Sequence, residues 1–167
     1  NILADDSLVI GYTPDVLKKI GLIGIPMTIN QKHVGDSLNG TYNGTAQEIL
    51  DHTFTVKEFA TLPEKIANPV AIIYDKRTGK AKASESNVDV LVEMNVASGK
   101  QVLAAIQING NGHINGIRID TNKVATVHGN SDSVTRLIDA INENQKGNVA
   151  VFYINNKKTT KVLQSTG

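Results

Sequence analysis

The sequence contains no cysteine and no tryptophan, and four tyrosines and three phenylalanines are its only aromatic residues. Without cysteine there can be no disulfide framework, no thiolate zinc site and no cysteine nucleophile. So few aromatic rings leave little for stacking nucleobases. No run of about 18 apolar residues occurs, so no transmembrane helix is expected. The opening "NILADDSLVI" lacks the basic start and small-residue cleavage site of a signal peptide. An excess of either charge is missing too: Lys plus Arg is 17, Asp plus Glu is 16, and the formal net charge is +1. The molecule as a whole therefore does not attract polyanions, and nucleic-acid binding would have to come from a local patch. The abrupt start at Asn1 and the closing "QSTG" suggest a piece of a longer protein. Residues 1–12 read as a leader or linker and 13–167 as a single domain, long enough to build a core.

What is present divides into two halves. From Thr13 to about Asn68 the periodicity is helical. "TPDVLKKIG" offers Thr13 as N-cap, Pro14 at the first helical position and Gly21 as the stop. After the short extended piece "IPMTI", "NQKHVGDSL" places Val34 and Leu38 on one face. Thr45 with Glu48, and Thr55 with Glu58, have capping-box spacing. "LPEKIANP" adds a last turn that Pro69 ends. From Val70 onward, strands are expected at 70–75, 88–94, 100–108 and 114–120, joined by turns such as "KRTGKA" and "NGNGH". "NKVATVHG" continues as a further short strand or extends the one before it. Ser131 or Asp132 then caps an amphipathic helix through Asn144, and "NVAVFYI" is the final strand. The order implies an α+β fold, N-terminal helices packed on an antiparallel sheet of four to five strands.

Two histidines are candidates for proton transfer. With Asn30 as N-cap, His33 takes the third helical position, where the positive helix end favours the uncharged imidazole a general base uses. The alternative is a half-exposed side chain covering a core edge. His52 ends "QEILDH", where a histidine also serves simply as a C-terminal cap. His113 and His128 read as surface loop residues. No spacing of histidines and carboxylates suggests a metal, and no cofactor is expected. "GNGHING" imitates a glycine-rich fingerprint but lies between strands.

The stronger signal closes the chain. In "VFYINNKKTTKVLQSTG" an apolar strand runs into Lys157, Lys158 and Lys161 around a helix start. Cations there oppose the helix dipole by a few tenths of a kcal/mol each, roughly, so folding alone would favour Asp or Glu. With Asn155 or Asn156 as cap and the hydroxyls of Thr159 and Thr160 nearby, the segment reads as a phosphate cradle. The competing reading is a solvated basic terminus. Tyr153 would face a base if strand alternation sends Phe152 into the core.

Three ordered blocks carry a resemblance: "TPDVLKKIGLIGIPMTINQKHV", "DHTFTVKEFATLPEKIANPVAII" and "FYINNKKTTKVLQSTG". Together they resemble the C-terminal toxin domain of phage MuF-type and bacterial polymorphic toxin proteins, assigned to the Barnase–EndoU–colicin–RelE group of nucleases. The resemblance implies helices on an antiparallel sheet that carries a metal-independent ribonuclease site. It points to His33, His52, Lys158 and Thr159 as catalytic, and to Lys32, Asn155 and Lys157, beside Tyr153, as substrate-binding. Asn156 stands where the family pattern has a further basic residue. The implied reaction is attack of a 2′-hydroxyl on the adjacent phosphate, giving a 2′,3′-cyclic phosphate. RNA, with transfer RNA as one candidate, would be the substrate and an immunity protein the partner. No membrane partner is expected, and the domain would act as a monomer. Delivery as part of a larger secreted protein into a target-cell cytoplasm would follow. The alternatives are a non-catalytic module that binds nucleic acid or protein, and an enzyme acting on small phosphorylated molecules.

Overall fold

The computed structural model describes residues 7–40, 43–75, 88–109, 112–114, 117–119, 122–128 and 133–164. The fold is α+β. Its sheet is larger than the sequence suggested: the described residues form seven strands in the order β1-β2-β8-β5-β4-β3-β9. Two lie ahead of Val70, where the expected sheet began. β1 (Ser7–Tyr12), in the stretch read as leader or linker, pairs antiparallel with β2 (Pro26–Asn30). β2 then pairs parallel with β8 (Asn122–His128), so the sheet is mixed. A separate two-stranded ribbon joins β6 (Gly112–Ile114) to β7 (Ile117–Ile119).

The sequence reasons for the short N-terminal helices are local. Helix α1 (Asp15–Lys19) starts after Pro14, carries an Asp15–Lys18 ion pair of 3.0 Å and buries Leu17. Gly21 ends it at φ 111°, a conformation that side chains disfavour. Thr13 does not cap it. Its hydroxyl instead donates to the Ile25 carbonyl at 2.6 Å, strapping the helix to the start of β2. Helix α2 (Gln31–Leu38) is capped by Asn30, whose Oδ1 accepts from the Lys32 amide at 2.8 Å. Helix α3 (Ala46–Asp51) has the complete capping box of Thr45 and Glu48. Helix α4 (Val56–Phe59) has half of one. Thr55 accepts from the Glu58 amide, but the Glu58 carboxylate turns away to accept from the Asn95 amide at 2.9 Å. Helix α5 (Leu62–Ala67) completes this layer.

The central hairpin joins β4 (Val88–Asn95) to β5 (Gln101–Asn109) and supplies both cores. Val88, Val90, Val92 and Met94 alternate onto one face, with Val102, Ala104, Ile106 and Ile108, beneath Leu17, Leu62 and Ile66. Leu91, Leu103 and Ala105 occupy the other face, with Leu137 and Ala140 of α6 (Ser133–Gln145) and Val162 of α7 (Asn156–Gln164). Helices thus cover both faces, and the strands between read as near-continuous apolar runs. The caps expected for α6, Ser131 and Asp132, and the turn 76–81 lie outside the described residues.

At the far edge, β9 (Val149–Ile154) pairs with β3 (Ala71–Asp75). The register slips between Ile72 and Ile73: Ile72 faces Tyr153 while Ile73 faces Val151. Phe152 is the extra residue, a bulge that breaks the alternation. Because β2, β4, β8 and β9 run the same way, all four finish at one end of the sheet.

Candidate phosphate-binding cleft

At that end the chain passes from β9 into α7 through Asn155. The Asn155 amide donates to the Val70 carbonyl at 2.8 Å, which fixes the junction to the sheet. Its Oδ1 accepts from the Lys158 amide at 2.9 Å and its carbonyl from the Thr159 amide at 2.9 Å, so Asn155 is the N-cap. The first turn carries no acidic residue. The amides of Asn156 and Lys157 are left to point outward, as helix starts require.

Beside this turn lies a cleft of about 740 Å³ lined by Lys157, Lys158, Lys161, Thr160, Gln164 and the asparagines 68, 155 and 156. Among the described residues, three ammonium groups and no carboxylate form its wall. Lys158 donates from Nζ to the Asn68 carbonyl. Lys161 Nζ lies 3.8 Å from Glu93 Oε2, which also accepts from Gln101 Nε2 at 2.7 Å. Lys157 is exposed and has no ion pair among the described residues.

Of the residues expected here, Asn155, Lys157 and Lys158 come together. Thr159 does not join them: it is buried on the core side of α7, its hydroxyl without a partner, and Thr160 lines the cleft instead. The side-chain order at Tyr153 is also reversed from expectation. Tyr153 packs against the first core, whereas Phe152 is 47 % exposed and stacks on Tyr74 with ring centroids 6.5 Å apart. The bulge is the physical cause.

The described histidine side chains, His33 and His52, lie outside the cleft lining. His33 and Lys32 begin α2, which packs on β2 and β8, and Lys32 is paired with Asp36 at 2.9 Å. Between β2 and β9 stand β8, β5, β4 and β3, which across a flat sheet is about 24 Å. His52 is nearer. It is the C-cap of α3, and α3 is tied to the β4–β5 turn by the Ser98 amide to the Leu50 carbonyl and by Lys100 to Asp51 at 3.0 Å. His52 Nδ1 lies 2.9 Å from the Glu48 carbonyl. A carbonyl only accepts, so in the neutral ring Nδ1 carries the proton and Nε2 the lone pair. The side chains of His113 and His128 lie outside those described.

Asn68 and Glu93 were not anticipated. Asn68 contributes through its main chain as well, which no residue pattern announces. Glu93 did leave a trace, as the single acid within the apolar run of "VLVEM". Among the described residues no group of three or more His, Asp or Glu could hold a metal ion. No described helix is long and apolar enough to cross a membrane.

Compared with protein families, residues 45–161 match the model of the phage MuF C-terminal domain. The span includes His52 and the cleft lining apart from Gln164, but not Lys32 or His33. No curated protein and no solved structure matches the chain.

Proposed function

This chain belongs to the phage MuF C-terminal domain family, and on that premise we propose that it is a metal-independent ribonuclease, a toxin domain delivered as part of a larger protein into a target-cell cytoplasm. The observation that carries the proposal is the cleft, whose described lining holds three ammonium groups and no acid beside the outward amides of a capped helix start. Such a site suits a phosphodiester whose negative charge grows in the transition state.

In the proposed reaction His52 Nε2 takes the proton of a 2′-hydroxyl. The 2′ oxygen bonds to the adjacent phosphorus and the bond from phosphorus to the 5′ oxygen breaks. Lys157 and Lys158 neutralise charge on the phosphoryl oxygens, and the leaving 5′ oxygen takes a proton from the ammonium-lined wall. A 2′,3′-cyclic phosphate and a 5′-hydroxyl result. His52 is preferred to His33 because α3 is held at the β4–β5 turn, fewer strands from β9. A cognate immunity protein would present carboxylates to the same wall.

The test is incubation of the purified protein with total RNA in EDTA, followed by end-group analysis. Fragments ending in cyclic phosphate are expected. Intact RNA, or cleavage only after magnesium is added, overturns the proposal. A second reading, a nucleic-acid-binding module without catalysis, is favoured by one observation: no histidine among the described residues lines the cleft. It requires that RNA bind and stay whole, and that Lys158→Ala lower the salt slope of binding by about one.

A further inference from the structure

The cleft extends along α7. Lys157 and Lys161 are four residues apart, so they share a face with a rise of about 6 Å between them. Asn156, Thr160 and Gln164 form the neighbouring row of the lining. Lys161 differs from Lys157 in having an acidic neighbour. Glu93 projects from β4 with 16 % of its side chain exposed, fixed by Gln101, whereas 71 % of the Lys161 side chain is exposed. The carboxylate is anchored in the sheet, and the lysine stem is the part free to swing.

Resting on the reading of the cleft as a phosphate site, we propose that Lys161 forms a second phosphate subsite. The cleft then takes a polynucleotide strand by two consecutive phosphates, and Glu93 competes with the second of them for the Lys161 ammonium. A ligand with one phosphate seated at Lys157 and Lys158 leaves the Lys161–Glu93 pair intact and gains nothing from it. A ligand with two draws Lys161 across. A pair 3.8 Å apart with its lysine in solvent is assigned the surface value of about 0.2–1 kcal/mol, so the competition costs the second phosphate up to about fivefold in affinity. Glu93 is in this sense a specificity device. It makes occupancy of the second subsite conditional on a phosphate able to displace it.

The experiment compares thymidine 5′-monophosphate with the 5′-phosphorylated thymidine dinucleotide by calorimetric titration at low salt. Neither has the 2′-hydroxyl, so binding is read apart from cleavage. The parent is expected to bind the two-phosphate probe about tenfold more tightly than the one-phosphate probe. Lys161→Ala should abolish that increment and weaken monophosphate binding far less. Glu93→Gln should strengthen two-phosphate binding by about two- to fivefold, with little effect on the monophosphate. Equal weakening of both probes by Lys161→Ala overturns the inference, as does a Glu93→Gln variant that binds the longer probe no better. If Glu93→Gln fails to fold, the exposed Lys161→Ala decides alone. RNA left whole with the increment present removes the ribonuclease reading only. RNA cut with no increment removes this inference only.

Discussion

Lys158 reaches back to Asn68: its ammonium donates to the main-chain carbonyl at the C-cap of α5, ninety positions earlier in the chain. One lysine thereby ties the start of a helix on one face of the sheet to the end of a helix on the other. The α7 dipole opposes this charge and the α5 carbonyl end favours it. Lys157, one residue before, meets only the opposing field. Neighbours alike in sequence are unlike in energy.

The two lysines should therefore separate in a thermal melt. Lys158→Ala is expected to cost about 1 kcal/mol, roughly 2–4 °C in Tm for a chain of this size. Lys157→Ala should leave Tm unchanged or slightly raised. Both should lower RNA cleavage by about 10²-fold or more. Equal melting of the two variants would show that the Asn68 contact contributes nothing.

Thr159 offers a test of orientation. A buried hydroxyl without a partner carries a desolvation penalty, which an isosteric apolar side chain relieves. Thr159→Val should raise stability by about 1 kcal/mol and leave cleavage as it was. Lost cleavage in a well-folded variant would return the hydroxyl to the site.

His52 and His33 are distinguished by activity. His52→Gln should reduce cleavage by about 10²-fold or more, the usual contribution of a positioned base, while RNA binding persists. His33→Gln should cleave like the parent. The reverse pattern would move the base to α2.

Asp51 governs stability in acid. The Ser98 hydroxyl beside it, though short of full hydrogen-bond geometry, and the Lys100 ammonium at 3.0 Å hold its carboxyl below the ordinary carboxylate value. A depressed pKa in the fold means the contribution is complete above the unfolded value, about 3.9, and is lost as pH falls through the folded one. Melts of the parent and of Asp51→Asn should hold a constant difference from pH 7 to about 5 and converge below about pH 4. A gap that stays constant to pH 2 would contradict this.

How much was legible follows from the range of each interaction. The Thr45 box, the Asn30 cap and the α6 span depend on residues three or four apart, and the sequence displays them. Glu58 has the same spacing as Glu48 but meets the Asn95 amide, a partner no local pattern contains. β2 was visible as an extended piece; its place inside the sheet depends on β8, far along the chain. The bulge at Phe152 inverted a reading of alternation that was otherwise sound for β4. In the cleft the lysines and their cap were plain because α7 carries them all. Asn68 and Glu93 were hidden because they arrive from other elements.

The parallel pairing of β2 with β8 has a consequence in time. During synthesis β2 can zip onto β1 at once, but Met27 has no partner on its other side until Asn122 has been made. Through that interval the edge of β2 that β8 later covers stays open, and ribosomal neighbours or stray strands can join it. Closure of so long a loop is slow compared with the local hairpin of β4 and β5. The last-made third of the chain thus decides when the first-made strands become safe from aggregation.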